Sequence, residues 1–445
     1  MIGFETIGNA TLTVFDEKPV LSTDPWIEGK PYFGSWGHPY TIPKEQIDNI
    51  KNSKYIWLSH GHPDHIDSAS YIHFTGSIIL IPDHYGDRIF NHFKKKFDCI
   101  KLESNKWFQI SKNIKIKSFA DWNQDAALLV DILGKDLIVN VNDGGLLGWS
   151  PTIRKIIKGY KNKFLLQLLN WGDADMINFY DESETFILPN AAEKPKVGKQ
   201  YSRRMKNLNC NFAIPFSSFH RYIRQDSIHM NKFSTPLAKH YEGFENKYGE
   251  LLPAFIIWNS INDSYTKIKV KKLNNVILTP EECGDNYSDE LSLEDKKQLK
   301  NYFKSFESLS SYFGFILFKV GNKEFWIQLS NKKIGIKFEA PRNSLMKAIK
   351  YEIFDDVLIG NFMKTSLIGC KSLYPNFTPF VAKYGDNGLA KSRKELNQYF
   401  DYYKFNSANY WRDMLKFKTE GIVRSFISAQ SPLYSISKGI KQSIF

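Results

Sequence analysis

Cysteine is scarce in this sequence of 445 residues. The four cysteines, Cys99, Cys210, Cys283 and Cys370, are widely spaced and form no C-x-x-C pair. This spacing argues against a zinc ribbon and gives no sign of a disulfide framework. Such usage is typical of a reducing compartment, so we expect a cytoplasmic protein.

Long apolar runs are also missing. No stretch reaches the roughly 20 residues that a membrane-spanning helix needs. The first residues, MIGFETIGNATLTVF, alternate as a β-strand does and lack the basic and apolar segments of a secretory leader. We therefore predict a soluble intracellular protein without a membrane partner.

The sequence is rich in apolar residues and in positive charge. Hydrophobic residues make up 42% and aromatic residues 15%, which is enough for a large core in two or more domains. The formal net charge of +13 suits an anionic partner. Because no RNA-binding motif accompanies this charge, an anionic small molecule is favoured over nucleic acid.

Short β-like segments alternate with helical ones through the first half of the chain. YIWLS, SIILIP and DAALLVDILGKDLIVNVND are examples, and this order predicts an α/β sandwich over residues 1–240. A charged stretch with a helix start at Ser292 follows, so we assign a linker and helix to 241–300. Strands and then helices resume over 301–445 as a C-terminal α+β and helical region.

The strongest chemical motif is WLSHGHPDHID, at residues 57–67. It places His60, His62, Asp64 and His65 where an apolar strand gives way to a loop. Imidazole and carboxylate groups bind zinc, iron and manganese. The H-x-H-x-D-H spacing lets the first two histidines share one ion while the aspartate and the third histidine reach towards a second. A merely polar surface loop would not need four such side chains together.

This motif resembles that of the metallo-β-lactamase superfamily, whose fold is an αββα sandwich with a dinuclear metal site at one edge. Asp24 in STDPW matches an aspartate that supports the histidine loop in that family. Asp143 in IVNVNDGG matches the aspartate that bridges the two metals, and His220 in FAIPFSSFH matches the final histidine. Taken alone, Asp143 could simply begin a turn, and His220 could be an ordinary core residue.

One motif departs from the family pattern. Most hydrolases of the superfamily have a histidine before the strand that leads to the bridging aspartate, but the corresponding segment here, SFADWNQDAALLV, has none. Asp121 occupies the expected position, and Asp125 is the alternative. A carboxylate adds negative charge and a hard oxygen donor, which favours iron or manganese over zinc. The oxygen-activating di-iron members of the superfamily likewise have a carboxylate here.

Beyond the motifs, the chain resembles the catalytic part of the CMP-N-acetylneuraminate hydroxylase family, which hydroxylates a nucleotide-linked sugar. The similarity lies in DAALLVDILGKDLIVNVND, LLNWGDADMINFY and AIPFSSFHRYIRQDSIHMNK, and more loosely in FDDVLIGNFMKTSL. That family also has a Rieske domain with C-x-H and C-x-x-H pairs, and no cysteine here precedes a histidine at those spacings. An oxygenase of this kind would need a separate electron-transfer protein.

Two functions follow from these observations. One is a di-iron oxygenase that hydroxylates an anionic substrate such as a nucleotide-linked sugar. The other is a zinc or manganese hydrolase that attacks an ester, amide or phosphodiester with metal-bound hydroxide. A binding protein without turnover is less favoured, because buried ligand groups are costly without their ions.

The resemblance implies two metal ions, with iron favoured and zinc or manganese as alternatives. One ion would be held by His60, His62 and Asp121, the other by Asp64, His65 and His220, with Asp143 bridging them. Asp64 and Asp143 are also expected to be catalytic.

Substrate contacts are predicted from charge and position. Arg221 and Arg224 directly follow His220, so a guanidinium there could bind phosphate or carboxylate. His38 in SWGHPY is expected to line the site. The basic segment YSRRMKN could either contribute to anion binding or form a solvated face; its charged residues are Arg203, Arg204 and Lys206.

Overall fold

The computed structural model describes residues 1–168, 176–193 and 196–426. Its strands are β1 (Ile2–Ile7), β2 (Thr11–Asp16), β3 (Lys18–Thr23), β4 (Trp36–Gly37), β5 (Tyr55–Trp57), β6 (Ile78–Pro82), β7 (Cys99–Leu102), β8 (Trp107–Gln109), β9 (Ile114–Ala120), β10 (Ala126–Ile132), β11 (Asp136–Asn142), β12 (Asn162–Leu168), β13 (Phe179–Tyr180), β14 (Phe186–Ile187), β15 (Phe212–Ser217), β16 (Arg221–Tyr222), β17 (Glu250–Leu251), β18 (Ile256–Asn259), β19 (Ser264–Lys267), β20 (Phe315–Val320), β21 (Lys323–Gln328), β22 (Gly335–Glu339) and β23 (Lys364–Ile368). Its α-helices are α1 (Lys44–Lys51), α2 (Ser68–Tyr71), α3 (Arg88–Phe93), α4 (Ser150–Ile157), α5 (Val197–Leu208), α6 (Leu293–Ser305), α7 (Arg342–Tyr351), α8 (Phe354–Ile359), α9 (Arg393–Asn406) and α10 (Tyr410–Phe426).

Two mixed sheets form the centre of the N-terminal unit. The 8-stranded sheet has the order β19-β18-β1-β2-β3-β5-β6-β7, and the 7-stranded sheet has the order β17-β15-β12-β11-β10-β9-β8. Apolar side chains from both sheets share one core. Leu12 and Leu80 come from the first sheet and Leu128 and Ile138 from the second, and all four are fully buried. Burial of this shared face is the main force that holds the sheets together.

Helices cover the outer faces of the sheets. Helices α1 and α3 contact β3, β6 and β7 of the first sheet, and α5 contacts β15 of the second. In α4, Ile153 and Ile157 are buried one turn apart, which is the spacing of a helix with one apolar face. The layers therefore follow the order αββα, and the predicted fold class is confirmed.

The strand ends explain where the functional side chains meet. Strands β3, β5, β6 and β7 are parallel neighbours, as are β11, β12 and β15. In such α/β sheets, the loops at the carboxyl ends of parallel strands form the usual binding crevice. Asp24 follows β3, the histidine loop follows β5, and Asp143 follows β11.

A third sheet forms the centre of the C-terminal unit. Its six strands have the order β14-β13-β23-β22-β20-β21. Helices α6, α7 and α8 pack on it with Leu299, Leu345 and Val357, all fully buried. A turn at Gly321-Asn322 joins β20 to β21. Helix α6 follows the helix start predicted at Ser292, whose side chain accepts the backbone N–H of Asp295 in a capping box.

Some strand pairings cross the domain bounds that the sequence predicts. Strands β18 and β19 extend the first sheet from β1, although they lie in the predicted linker 241–300. Strands β13 and β14, from the predicted first domain, belong to the C-terminal sheet, because β13 pairs with β23. The predicted C-terminal region includes 427–445, which lie outside the described residues, as does part of the LLNWGDADMINFY segment.

All four cysteines are free thiols.

Over the described ranges, no helix has both the length and the apolar character needed to cross a membrane.

Glu5 is an acidic side chain buried inside the N-terminal unit. It is 1% exposed and accepts hydrogen bonds from Gln46 and Asn49, at 3.4 and 3.2 Å. Burial raises the pKa of Glu5 from 4.5 to about 7, because the charged form loses its hydration. The folded state therefore holds this proton more tightly than the unfolded state, and the free energy of unfolding falls as pH rises through this window.

Glu5→Gln is expected to remove that part of the pH dependence. From pH 5 to pH 8, the wild type should lose about 2–3 kcal/mol of its free energy of unfolding through Glu5, and the variant should not show this loss. Urea unfolding in the presence of a chelator, at both pH values, measures this difference. An identical pH dependence in the two proteins would contradict the assignment.

Candidate metal centre

The histidine loop is buried at the carboxyl end of β5. Its four ligand-type side chains are each at most 7% exposed: His60, His62, Asp64 and His65. Asp24 supports the loop, because its Oδ1 accepts the backbone N–H of Ser59 at 2.7 Å. The backbone N–H of His65 also donates to the carbonyl oxygen of His62, at 3.0 Å. The loop is thus fixed by its own backbone and by the neighbouring strand end.

One group of donor atoms forms around His60. Its Nδ1 lies 2.8 Å from Ser59 Oγ, which leaves Nε2 to face the pocket. This Nε2 is 2.9 Å from His62 Nδ1 and 3.7 Å from Asp143 Oδ2. Donor atoms bound to one ion at about 2.1 Å are roughly 3–3.5 Å apart, so these three atoms fit a common ion with small adjustments.

A second group forms around His65. Its Nε2 lies 3.4 Å from Asp64 Oδ2 and 3.5 Å from Asp143 Oδ2, while its Nδ1 lies 3.2 Å from Asp24 Oδ2. The same oxygen of Asp143 therefore borders both groups. One ligand atom from each of His60, His65 and Asp143 lies within 4.8 Å of the others.

His220 adds an imidazole without a hydrogen-bond partner. Its ring stacks on Trp36 with centroids 3.4 Å apart and planes at 1°, and neither of its buried ring nitrogens has a partner. Burial lowers the pKa of His220 to about 3, so the ring is neutral, the form that binds metals. An unsatisfied buried imidazole is costly, and a metal ion would satisfy it.

The buried carboxylates of the pocket also favour the binding of a cation. Burial would lower the pKa of His65, but Asp64 and Asp24 raise it well above its ordinary value. Burial would raise the pKa of Asp64, but His65 and then the Tyr32 hydroxyl, at 2.6 Å, hold it below the usual range. The carboxylates of Asp24 and Asp64 around His65 therefore favour a positive charge at this place. The residues therefore fit a metal centre.

Two aspartates share the turn that lacks the family histidine. Asp121 follows β9, is 2% exposed, and accepts the backbone N–H of Asn123 at 2.8 Å. Burial, followed by the nearby Asp125, raises the pKa of Asp121 well above its ordinary value. Asp125 Oδ1 lies 3.6 Å from Lys383 Nζ. Which of the two carboxylates is a ligand stays a prediction.

Three strand ends at the centre contain non-glycine residues in the left-handed region. Asp24, Asn142 and Ser218 have φ values of 42°, 30° and 63°. Such conformations cost on the order of 1–3 kcal/mol each and tend to persist where function requires them. Each occurs at or just before a predicted ligand or its supporting residue.

Four further residues at the centre are not marked by the motifs. Asn9 Nδ2 donates to Asp64 Oδ2 at 3.0 Å, and the Tyr32 hydroxyl donates to Asp64 Oδ1. Asp355 Oδ2 lies 3.1 Å from His62 Nε2, and Lys383 lies beside Asp125. Consecutive aspartates inside the apolar run IFDDVLIG are the one sequence signal that could have indicated Asp355.

Arg224 is predicted to bind substrate, but in the structure its guanidinium makes other contacts. Its side chain is fully buried, with Nε 2.9 Å from Asp226 Oδ1 and a terminal nitrogen 2.8 Å from Asp285 Oδ2. The other terminal nitrogen donates to the Phe33 carbonyl at 3.1 Å, and the guanidinium lies 4.0 Å from the Phe362 ring centroid. These contacts occupy the guanidinium, so Arg224 supports the loop that contains Tyr32.

The other predicted substrate contacts have different surroundings. Arg221 is exposed, on β16, which pairs with β4. His38 stacks on Trp26 with centroids 3.9 Å apart and lines a small cavity with Tyr40 and Phe255. Burial lowers the pKa of His38 to about 4. The basic side chains of α5 are exposed: Arg203, Arg204 and Lys206.

Arg224→Met is expected to destabilise the protein strongly. The change leaves Asp226 and Asp285 without their partner, and breaking a buried ion pair on one side typically costs about 3–5 kcal/mol. Arg221→Met is the matched control, because its guanidinium is exposed, and we expect a change near zero. Denaturant unfolding compares the two. A normal free energy of unfolding in Arg224→Met would contradict the structural role.

No family model matches the chain. The chain is similar to a cytidine monophosphate-N-acetylneuraminic acid hydroxylase of Asterias rubens, at 23% identity over 133 residues; the match covers 28% of this chain and only 20% of that protein's length.

Two solved structures show a more distant likeness. An isothiocyanate hydrolase from Delia radicum gut bacteria is 15% identical, with a TM-score of 0.35, over 57% of this chain and 96% of that one. The metallo-β-lactamase fold protein YhfI from Bacillus subtilis is 14% identical, with a TM-score of 0.27, over 47% of this chain and 76% of that one. Two facing sheets, their outer helices and the His and Asp side chains at the strand ends define the fold of this chain. The chain has the metallo-β-lactamase fold, extended by a C-terminal α+β and helical unit.

Proposed function

We propose that this chain is a dinuclear metalloenzyme, and that its metals are iron used to hydroxylate an anionic substrate with oxygen. One observation carries the proposal: two groups of donor atoms, around His60 and around His65, meet at the same oxygen of Asp143. In this proposal two ions would share Asp143. His60 and His62, together with Asp121 or Asp125, would hold the first, and Asp64, His65 and His220 would hold the second.

The character of the donors supports iron over zinc. The proposed ligands offer only nitrogen and oxygen atoms, and the turn after β9 supplies carboxylates where the hydrolases of the superfamily have a histidine. Hard oxygen donors favour iron or manganese. When bound, a pair of iron ions supplies the reductive activation of oxygen.

The chain's own residues hold and shield the centre. Tyr32 and Asn9 each donate to Asp64, which leaves the carboxylate ionised and fixed in orientation. The Trp36 ring covers one face of His220 and excludes water from it. Fixed ligands of this kind keep the geometry that the chemistry needs.

The electron balance implies a partner. Hydroxylation inserts one atom of oxygen into a C–H bond, and the other atom leaves as water, which consumes two electrons and two protons from outside the substrate. We propose that a separate electron-transfer protein supplies the electrons.

The proposed substrate is an anionic small molecule such as a nucleotide-linked sugar. The net charge of +13 and the similarity to the Asterias rubens hydroxylase support this class. With Arg224 occupied by two carboxylates, Arg221 is the remaining arginine candidate beside His220.

Metal analysis and oxygen consumption test the proposal together. Protein purified without added metal is expected to contain about two ions per chain, with iron in excess. Oxygen uptake with a chemical reductant should then depend on a substrate found among CMP- and UDP-sugars. Zinc-loaded protein with turnover that proceeds equally well without oxygen would contradict the oxygenase and favour a hydrolase.

A further inference from the structure

The C-terminal unit contributes a carboxylate to the centre. Asp355 lies on α8, yet its Oδ2 is 3.1 Å from Nε2 of His62, which precedes it by 293 residues. Each of the two residues is 7% exposed. The other nitrogen of the same imidazole, Nδ1, faces His60 Nε2. The His62 ring therefore lies between the metal pocket and Asp355.

This arrangement selects one tautomer of His62. A carboxylate accepts a hydrogen bond, so Nε2 must hold the proton and Nδ1 is left with its lone pair directed at the pocket. A carboxylate behind a ligating histidine orients the ring and increases its basicity, and the loss of such a partner typically weakens metal binding 10- to 100-fold.

The same unit also contributes a buried cation. Lys383 lies in a π-helical segment, Pro379–Asn387, and its ammonium is 3.6 Å from Asp125 Oδ1. Asp355 and Asp143 are further charged neighbours of this ammonium. A fixed positive charge next to these carboxylates repels a divalent ion.

We propose that the C-terminal unit completes the metal centre with two positioning residues of opposite effect. Asp355 strengthens metal binding by holding the His62 ring, and Lys383 weakens it by competing for the carboxylates. This inference rests on the metal centre of the proposed function. It adds a way in which the C-terminal unit sets the affinity of that centre.

Binding of Co²⁺ alone, followed by its visible absorption and by competition with a chelator, tests both residues. Asp355→Asn is expected to weaken Co²⁺ binding 10- to 100-fold and to change the absorption bands. Lys383→Met keeps the length of the side chain but removes the charge, so it is expected to tighten Co²⁺ binding by about tenfold, even though it leaves Asp125 unpaired and lowers stability.

Asp295→Asn is the matched control. Asp295 is also a buried carboxylate of the C-terminal unit, but it pairs with Arg342 and caps α6. Its replacement should lower the melting temperature and leave Co²⁺ affinity unchanged. If Asp355→Asn does not fold, Asp355→Glu replaces it, because it keeps the charge and displaces the oxygen by one methylene; several-fold weaker binding is then expected.

The outcomes separate this inference from the proposed function. A wild-type protein that binds no Co²⁺ overturns both. A wild type that binds Co²⁺, with Asp355 variants of equal affinity, overturns the role of Asp355 and leaves the metal centre in place. Weaker binding in Lys383→Met overturns the competition and makes Lys383 a purely structural residue.

Discussion

His60→Ala is expected to empty the metal centre and stop turnover. His60 Nε2 lies near both His62 Nδ1 and Asp143 Oδ2, so its removal deletes the donor between the other two. Loss of a residue that hydrogen-bonds to a metal ligand typically weakens metal binding about 10- to 100-fold. Loss of a ligand itself should therefore weaken metal binding by more than a hundredfold. Elemental analysis gives the metal content per chain, and substrate turnover gives the activity.

His73→Ala is the control for this experiment. The His73 ring pairs with Glu28 at 3.0 Å on the surface, so its loss should change neither metal content nor activity. Circular dichroism should show the same fold in both variants. Full metal occupancy in His60→Ala would mean that the centre has been assigned to the wrong side chains.

Asp121→His is expected to raise the preference of the proposed centre for zinc over iron. The change introduces the imidazole that hydrolases of the superfamily have at this position and removes a buried carboxyl group. Zinc retention should increase, and oxygen-dependent turnover should fall to background. Metal analysis after growth with equal iron and zinc measures the first effect, and oxygen uptake measures the second.

The parallel variant Asp125→His decides between the two carboxylates. Asp125 faces Lys383, so a histidine there should disturb that ion pair and lower stability without producing a zinc preference. If Asp125→His gains zinc and Asp121→His does not, then Asp125 is the ligand. If both variants retain oxygen-dependent turnover, the carboxylate at this turn does not tune the metal.

The local parts of the fold could be predicted from the sequence. Apolar periodicity predicts an α/β sandwich, because each strand and helix shows in its own residues which face is buried. The αββα order was implied by the resemblance to the metallo-β-lactamase superfamily. The partners of short strands could not be predicted. β18 joins β1, and β13 joins β23, through backbone hydrogen bonds between distant segments. Composition changes along the chain do not show such pairings.

The residues of the candidate site also fall into two groups, those that the sequence predicts and those that it does not. The H-x-H-x-D-H motif is local, and the family pattern gives the order in which Asp143 and His220 follow it. Asn9, Tyr32 and Asp355 come from other segments, and no spacing relates them to the motif. Arg224 was predicted to contact substrate because it lies close to His220 in the sequence. Its charge is instead balanced by Asp285, which approaches only in the folded chain.

His62 and Asp355 are 293 positions apart in the sequence, so the ribosome makes the histidine loop long before Asp355. At 5–20 residues per second, the ribosome adds Lys383 roughly 15 to 60 s after the histidine loop has been made. Through that interval the histidine loop has neither the carboxylate behind His62 nor the ammonium beside Asp125. A nascent chain would therefore bind metals with an affinity different from that of the finished protein. We expect the final choice of metal to be made only after translation, when α8 and the π-helical segment have docked.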